Sequence, residues 1–506
     1  MFARVARSVP VLAFLQALIS ASSLVVEIVA GRMLAPYVGM SIYTWTSVIA
    51  VVLAGFSVGH WWGGRIAERE QEAALSYTGW ILMAAALTTA GAVLALQQLS
   101  APALEMIHNP VLEVVALTSA IFFLPSLFAG VPAPVLAQLA VNDKEQRSGR
   151  ALGTMFAAGS IGAIFGTMLA GFLFIPALGS SLTLLVVTVA YVAAGLFLML
   201  IVKNRLALIS ALALGSLAIG MSVLSAAQAS ACSKESQYFC IRVLNVSSDP
   251  ASPVKRMVLD HLSHGTSARD APRIMFSEFT AMLDGIARGR MAEQKFSAFF
   301  IGGGSYSVPR AWRDRLTGPI TVAEIDPEVT QTAIEDFWLD PTQINIVDAD
   351  ARRTLQSMSN EKFDVIIGDA FSDIAVPVHL VTKEFFELVE IRLNGDGVFL
   401  MNVVDFSGGL HALAAIYRTL AAVFPAVEIW TRATEPKPGE QRTFVLVAGQ
   451  RETRFSSIVV PAPNRTEFAA LHPSFAENTL RSLGNFELTD DYAPVDYLLM
   501  KGRPAN

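Results

Sequence analysis

Three consecutive glycines, Gly302 to Gly304, end the apolar run in the stretch FFIGGGSYSVPR. Glycines after a buried strand let the backbone approach a ligand without a Cβ in the way. Acidic residues end the apolar runs that follow: Glu324, then Asp348 and Asp350, then Asp369 and Asp373. In an open parallel sheet, ligands bind at the carboxyl ends of the strands. These residues therefore form one candidate ligand site.

The spacing favours an adenosine without phosphates. Glu324 follows the glycines by roughly twenty residues, where a carboxylate takes both hydroxyls of a ribose. Asp348 or Asp350 is placed to accept from an adenine amino group. No basic residue directly follows the glycines, and the run is not the G-x-G-x-x-G of dinucleotide sites. The alternatives are a plain tight turn at the glycines and helix-capping roles for the acids.

The second half of the chain has the pattern of a layered α/β domain. Apolar runs such as KFSAFFIG, PITVAEID, INIVDA, KFDVIIGDA and GVFLMNVVD alternate with amphipathic segments. Continuous apolar strands between helices predict a parallel sheet covered on both faces. Ahead of the sheet, two further runs surround a Ser/Asp/Pro turn, which predicts a small N-terminal β-hairpin.

The first half of the chain is too apolar for an ordinary soluble domain. The whole sequence is 53% hydrophobic and only 16% charged, and the excess forms uncharged runs of the ~20 residues that a bilayer needs. We predict helices near 11–31, 44–63, 76–97, 111–130, 151–175, 181–202 and 206–226. The prolines of PSLFAGVPAPVLAQLA either end a helix or break it into a short piece. The predicted domains are a membrane domain of about seven helices at 1–227 and a nucleotide-binding catalytic domain at 228–506.

Basic residues predict the orientation of these helices. They flank alternate loops: Arg4, Arg7, Arg65, Arg69, Lys144, Arg147, Arg150, Lys203 and Arg205. The positive-inside rule then places the N-terminus in the cytoplasm and, after seven helices, the C-terminal domain outside it. Cys232 and Cys240 form either a disulfide, which fits an oxidising compartment, or two free thiols. Near the end of the first helix, Glu27 and Arg32 either pair as an anchor or have a function.

The chain resembles the transmembrane branch of the spermidine synthases, the polyamine aminopropyltransferases. The similar segments include VVEIVAGRMLAPYVGMSIYTW in the first half, and RMVLDHLSHG, FFIGGGSYSVPR, VAEIDPEV, VDADARRTL, DVIIGDAFSD and LTDDYAPVD in the second. The resemblance implies a Rossmann-like fold of the class I methyltransferase type. It also implies transfer of an aminopropyl group from decarboxylated S-adenosylmethionine to an amine such as putrescine.

The resemblance also implies roles for single residues. Glu324 would bind the donor's ribose and Asp350 its adenine. Asp369 would take a proton from the attacking amine, with Asp373 as the second acid. The glycines, Ser305 and His264 would line the donor pocket. Ser305 stands where the family has an aspartate, His264 where it has a glutamine, and Asp373 lies four residues after Asp369 instead of three.

These departures leave three functions open. The first is a membrane-bound aminopropyltransferase-like enzyme of polyamine biosynthesis. The second is a transferase or lyase that uses S-adenosylmethionine itself on a lipid or periplasmic acceptor. The third is a transporter or sensor that binds a ligand without catalysis. We expect no metal, no nucleic-acid partner at a net charge of −6, a bacterial inner-membrane location with a periplasmic catalytic domain, and an assembly compatible with a homodimer.

Overall fold

The structure, a computed structural model, describes residues 8–107, 109–142, 148–202, 204–228, 231–292, 294–315, 318–371, 376–484 and 486–503. The chain divides into two compact units, Met1–Cys240 and Ile241–Asn506. The first unit is helical and the second is built around a large mixed sheet. We describe each unit separately.

Long helices form the first unit. They are α1 (Val9–Val38), α2 (Ile42–Ala67), α3 (Gln71–Met106), α4 (Pro110–Gly130), α5 (Pro132–Val141), α6 (Ser148–Leu169), a short π-helix (Ala170–Phe174), α7 (Ile175–Val202) and α8 (Arg205–Ala227). Small residues bring pairs of these helices close together. A Cβ on Gly59 would lie 2.2 Å from the carbonyl oxygen of Leu127, and one on Gly162 would lie 2.1 Å from that of Ala17. Gly59 and Gly162 thus mark contacts between helices.

Six helical segments among the described residues are long and apolar enough to cross a membrane, by length and composition. One of them, Ser148–Val202, has 55 residues and is interrupted at Gly179, where φ is 75° and ψ is 172°. This break separates the two helices predicted near 151–175 and 181–202. Another segment, Val111–Val141, changes direction between α4 and α5, so the prolines do set off a short helix.

The two cysteines are joined in a disulfide, Cys232–Cys240, with Cα atoms 5.2 Å apart. The loop that it closes is tied to the helices of the first unit. Arg32 donates to the carbonyl oxygens of Tyr238 and Ser236 at 2.5 and 3.1 Å. Glu235, in the two-residue strand β1 (Lys234–Glu235), accepts from the Ser180 hydroxyl at 2.7 Å. Arg32 therefore holds this loop, an arrangement that the sequence did not indicate.

The second unit begins with the predicted hairpin, and a third antiparallel strand extends it. Strand β2 (Cys240–Asn245) pairs with β3 (Val254–Leu259), and β3 pairs with β4 (Leu262–Ala268). The turn between β3 and β4 is short because Asp260 adopts the left-handed conformation, with φ 53°. The third strand was missed because its run LSHGTSA is polar and contains a glycine.

A nine-stranded sheet forms the centre of this unit, in the order β12-β13-β10-β11-β9-β8-β5-β6-β7. The strands are β5 (Ala298–Ile301), β6 (Ile320–Glu324), β7 (Asn345–Asp348), β8 (Phe363–Gly368), β9 (Leu393–Phe406), β10 (Ala426–Arg432), β11 (Gln441–Gly449), β12 (Ser457–Val460) and β13 (Thr466–Ala470). Every residue of β5 and β6 is buried. Successive side chains point to opposite faces, so both faces are covered there, as predicted.

Only one side of the sheet is parallel. Strands β5 to β9 run parallel, whereas β11 pairs antiparallel with both β9 and β10. The connection from β10 to β11 is too short for a crossover helix and closes a hairpin instead. The accompanying helices are α9 (Glu278–Arg290), α10 (Ser307–Asp314), α11 (Pro327–Asp336), α12 (Ala351–Ser357), α13 (Lys383–Arg392), α14 (His411–Ala421), α15 (Pro473–Asn478) and α16 (Val495–Gly502).

Candidate active site

The register of the parallel strands brings the predicted residues to one edge of the sheet. Ile301 lies beside Ala323 on one side and Gly368 on the other. Glu324 lies beside Asp348, and Gly368 beside Met401. The residues that follow these positions, Gly302, Asp369 and Asn402, are therefore level with Glu324. A single cleft edge carries the glycines, the acids and an amide.

The glycine loop is built for close approach. Gly302 and Gly304 have φ values of 93° and 51°, which side chains with a Cβ rarely adopt. A Cβ on Gly304 would lie 2.5 Å from the carbonyl oxygen of His264, on β4. The loop then enters α10 through Tyr306, whose hydroxyl lies 2.8 Å from the Thr330 hydroxyl. The run of three glycines thus has a structural reason of its own, and its role in ligand binding stays a prediction.

Glu324 ends β6 and organises the loop beside it. Its side chain is 6% exposed and accepts from the backbone N–H groups of Gly303 at 2.7 Å and Asp326 at 3.0 Å. Burial raises the pKa of the Glu324 carboxyl, and the N–H groups of Asp326 and Gly303 oppose that shift. A carboxylate has about four lone-pair sites, and the Gly304 N–H also acts on this one, so only part of its accepting capacity is left. The helix-capping role falls instead to Asp326, which accepts from Glu328 N.

Ser305 and His264 lie on the inner side of the glycine loop. Ser305 is 1% exposed, and a Cβ on Gly265 would lie 2.1 Å from its Oγ. That Oγ is buried without a hydrogen-bond partner among the described residues. His264 lies within β4 and not at the hairpin turn, and its carbonyl oxygen accepts from Ser305 N at 3.3 Å. Burial and the neighbouring His261 lower the pKa of His264 to about 4.

Asp369 follows β8, and its backbone lies beside Gly302. A Cβ on Gly302 would lie 3.0 Å from the carbonyl oxygen of Asp369. Asn402, 3% exposed on β9, donates from Nδ2 to Asp369 Oδ1 at 2.8 Å. Burial raises the pKa of Asp369 to about 7, against the lowering effect of the Asn402 hydrogen bond. A carboxyl with this pKa can exchange a proton near neutral pH.

Asp350 is engaged on both oxygens. It caps α12 by accepting from Arg353 N at 2.8 Å, and its Oδ2 lies 2.7 Å from His379 Nε2. Next to this pair, Arg352 binds Asp490 through two contacts of 2.7 Å. Asp350 therefore does cap helix α12. An adenine amino group would have to bind to the lone pairs that these two contacts leave free. The pairing with His379 links the strand end to the 3-10 helix Val378–Leu380.

The structure brings most of the predicted site together. Gly302, Gly303, Gly304, Glu324 and Asp369 lie along one edge, with Ser305 and His264 behind the loop and Asp350 beyond β7. Asp373, the second predicted catalytic acid, lies outside the described residues. Sequence reasoning missed Asn402, although an amide inside the apolar run FLMNVVD was a signal for it. Among the described residues, no group of three or more His, Cys, Asp or Glu is arranged to hold a metal ion.

Comparison with known proteins gives the same assignment for this part of the chain. The family model of the spermine/spermidine synthase domain matches residues 298–457. A probable polyamine aminopropyl transferase of Bifidobacterium longum is 33% identical over 141 residues, 28% of this chain and 31% of that protein. An N-terminal histidine N-methyltransferase of Emericella nidulans is 33% identical over 132 residues, 25% of this chain and 23% of that protein.

A solved structure, that of a probable spermidine synthase from Corynebacterium glutamicum, is 19% identical with a TM-score of 0.44 and covers 49% of this chain and 93% of its own. The chain spans less than a third of the length of the two curated relatives. The range matched by the family model, residues 298–457, contains the glycine loop, Glu324, Asp350 and Asp369. The second unit of this chain therefore contains a region, residues 298–457, that matches the spermine/spermidine synthase domain.

Proposed function

We propose that the protein is a membrane-bound aminopropyltransferase-like enzyme that uses decarboxylated S-adenosylmethionine and an amine such as putrescine. The observation that carries this proposal is the position of Asp369, a carboxyl with a pKa of about 7, at the strand edge beside the glycine loop. The names of the relatives support the reaction class. A ligand-binding transporter or sensor has no need for such a carboxyl at that place.

The reaction needs two contributions from the protein, namely removal of one proton from the amine and alignment of the reacting atoms. An amine is protonated at neutral pH, because its pKa is near that of lysine, ~10.4. Asp369 would take one proton, after which the amine nitrogen forms a bond to the carbon next to the sulfonium. The C–S bond breaks and its electron pair stays on sulfur, which leaves methylthioadenosine. Holding nitrogen, carbon and sulfur in line is the main contribution of the fold.

The adenosine end of the donor has the stronger support. Glu324 would accept from the ribose hydroxyls with the lone pairs that its backbone contacts leave free. Asp350 would accept from the adenine amino group beside His379. The unpartnered Oδ1 of Asn402 is a further acceptor next to Asp369 and would hold the ammonium group of the acceptor amine.

The second candidate is transfer from intact S-adenosylmethionine. One observation favours it: Ser305, where the resembled family has an aspartate, is buried against Gly265 and offers no carboxylate to the donor's amine. The relative from Emericella nidulans is named as a methyltransferase, and the same adenosine pocket would serve that donor. The two candidates differ in the nucleoside that is released.

We further propose that the first unit crosses the bacterial inner membrane and that the catalytic unit lies on the periplasmic side. The supporting observations are the apolar segments, the basic residues in alternate loops and the disulfide Cys232–Cys240. Fusions at the C-terminus to alkaline phosphatase and to a green fluorescent protein test the side. We expect phosphatase activity without fluorescence, and the opposite result would place the unit in the cytoplasm.

The first experiment is to incubate the detergent-purified protein with each donor and putrescine, and to identify the products by mass spectrometry. Methylthioadenosine and spermidine from the decarboxylated donor alone support the aminopropyltransferase. S-adenosylhomocysteine, or methylthioadenosine from the intact donor, supports the second candidate. Asp369→Asn should retain donor binding and lose at least ~100-fold in turnover, the usual scale of a general base. Unchanged turnover would remove Asp369 from the mechanism.

A further inference from the structure

The first unit contains a cavity of about 470 Å³ between α1, α2, α6 and the junction of α4 and α5. Its walls are mostly apolar, but five polar side chains line it: Gln16, Ser20, Ser23, His60 and Ser160. Polar groups inside a membrane segment are costly unless they have partners, and such groups commonly mark ligand paths. The volume is in the range of small-molecule sites, ~300–1,000 Å³.

Gln16 is the side chain that most clearly indicates a bound ligand. Its side chain is 8% exposed, and its Nε2 donates to Ser20 Oγ at 3.2 Å. Its Oε1 is buried and has no hydrogen-bond partner among the described residues. Ser23 uses its own proton on the Ser20 carbonyl oxygen at 2.9 Å, which leaves its lone pairs as acceptors. A buried acceptor without a donor costs about 1–3 kcal/mol, and a donating ligand would remove that cost.

At the junction between α4 and α5, two prolines remove backbone donors. Pro132 and Pro134 have no N–H, so the carbonyl oxygens of Phe128 and Gly130 lose their helical donors. Val131 N donates weakly to Phe128 O at 3.4 Å, whereas Gly130 lines the cavity. Broken helices in membrane domains are tolerated where the freed carbonyls face a cavity, and such carbonyls bind cations in transporters.

The remaining lining also fits a cation with an aliphatic body. No Lys or Arg is among the residues that line the cavity, so no cationic side chain competes for the oxygens. The ring of Phe56 stacks on His60 with centroids 6.3 Å apart, and Phe156 lies on the wall. Aromatic faces attract ammonium groups, and the alanine-rich walls suit a methylene chain.

The cavity lies at a similar distance from one end of each of the helices α1, α2 and α6. Gln16 on α1, His60 on α2 and Met155 on α6 each lie about two turns, roughly 10 Å, from a helix end. Those ends are next to the basic loops, which we have assigned to the cytoplasmic side. The cavity is therefore in the half of the unit that a cytoplasmic molecule would reach first.

We propose that this cavity binds a small alkylamine in its ammonium form through Gln16, the neighbouring serines and the Gly130 carbonyl. The inference rests on the proposed membrane insertion and names a binding site for the class of molecule that the proposed enzyme accepts. It does not depend on turnover in the second unit, because all of its residues belong to the first.

Equilibrium binding of radiolabelled putrescine to the purified full-length chain tests the proposal, without any donor present. Gln16→Leu removes the unpartnered acceptor at similar volume. Gly159→Val fills the polar corner, since a Cβ there lies 3.2 Å from Gln16 Nε2. Gly153→Val on the same helix is the matched control, because nothing lies within 4 Å of its Cβ. We expect one binding component to weaken at least ~10-fold in both cavity variants, about 1.4 kcal/mol, and to persist in the control.

Identical binding curves in all four proteins would overturn the proposal, as would an equal loss in the Gly153→Val control. A lipid that copurifies in the cavity, seen by native mass spectrometry and not displaced by putrescine, would overturn it too. Turnover is measured in parallel. A Gln16-dependent component without turnover retains this inference and rejects the proposed function, whereas turnover without that component does the reverse.

Discussion

The hydrogen bond from Asn402 to Asp369 should set the pH at which the enzyme becomes active. The distance is 2.8 Å, and this contact lowers the pKa of a carboxyl that burial has raised to about 7. Asn402→Leu keeps a similar volume at a buried site and removes the donor. Because the Oδ1 of Asn402 has no partner among the described residues, the change leaves no new unsatisfied atom on residue 402.

The size of the shift follows from the strength of the bond. A hydrogen bond to a charged group contributes about 1.5–3 kcal/mol, and one pKa unit is about 1.4 kcal/mol. The loss should therefore raise the pKa of Asp369 by about one to two units, to about 8–9. Since the ionised form accepts the proton, the ratio of variant to wild-type kcat/KM should be roughly 5- to 50-fold lower at pH 7 than at the alkaline plateau. The lost contact between Oδ1 and the amine would lower kcat/KM equally at every pH, so it does not move the limb.

The assay is release of the nucleoside product between pH 5.5 and 9.5 at limiting amine. The amine itself titrates near ~10.4, above this range. Asn394→Leu is the matched control, because Asn394 donates to Asp364 at 2.7 Å at the opposite ends of the same two strands. The rising limb of the plot of kcat/KM against pH should move to higher pH in Asn402→Leu and stay in place in Asn394→Leu. A limb that does not move in Asn402→Leu would refute the assignment of Asp369 as the base.

Three further outcomes are expected. Asp369→Asn should raise the melting temperature at pH 8 but not at pH 4. The pKa of Asp369 in the folded state, about 7, exceeds its value in the unfolded state. Ionising Asp369 as the pH rises therefore costs up to about 4 kcal/mol of folding stability. His264, with a pKa of about 4, should destabilise the fold as pH falls from ~6.5 towards 4, and His264→Gln should flatten that slope in denaturation curves. Ser305→Ala should leave the donor KM within about twofold because Oγ is buried; a change above fivefold in initial-rate assays would show that it reaches the donor.

The strands and their carboxyl-end residues could be predicted because their signals are local. Fully buried strands appear in the sequence as unbroken apolar runs, and the acidic residue that ends each run follows it directly. The antiparallel side of the sheet and the β12–β13 hairpin could not be predicted in the same way. The run of β12, SIVV, is half exposed, and its pairing with β13 depends on partners that lie close in space rather than on its own pattern.

The hydrogen bonds that Asn402 and His379 make with the acids of the site could not be predicted from the sequence, for a different reason. Asn402 acts on Asp369 across 33 residues, and His379 acts on Asp350 across 29. Neither contact follows from a spacing rule, since each depends on how distant segments of the chain meet at the sheet edge. An amide in an apolar strand indicates that something polar lies beside it, but only the register identifies Asp369 as that partner.

The two buried carboxyls of the site differ in a way that fits their proposed roles. Glu324 is surrounded by backbone N–H groups, which stabilise its charged form and hold it in one orientation, as a binding group requires. Burial raises the pKa of both carboxyls, but only a single amide donor opposes it at Asp369, whose pKa rises to about 7. A group that must both take and release a proton near neutral pH needs this weaker stabilisation. Adding a second donor beside Asp369 would therefore lower its pKa and weaken it as a base, while Glu324 would tolerate one.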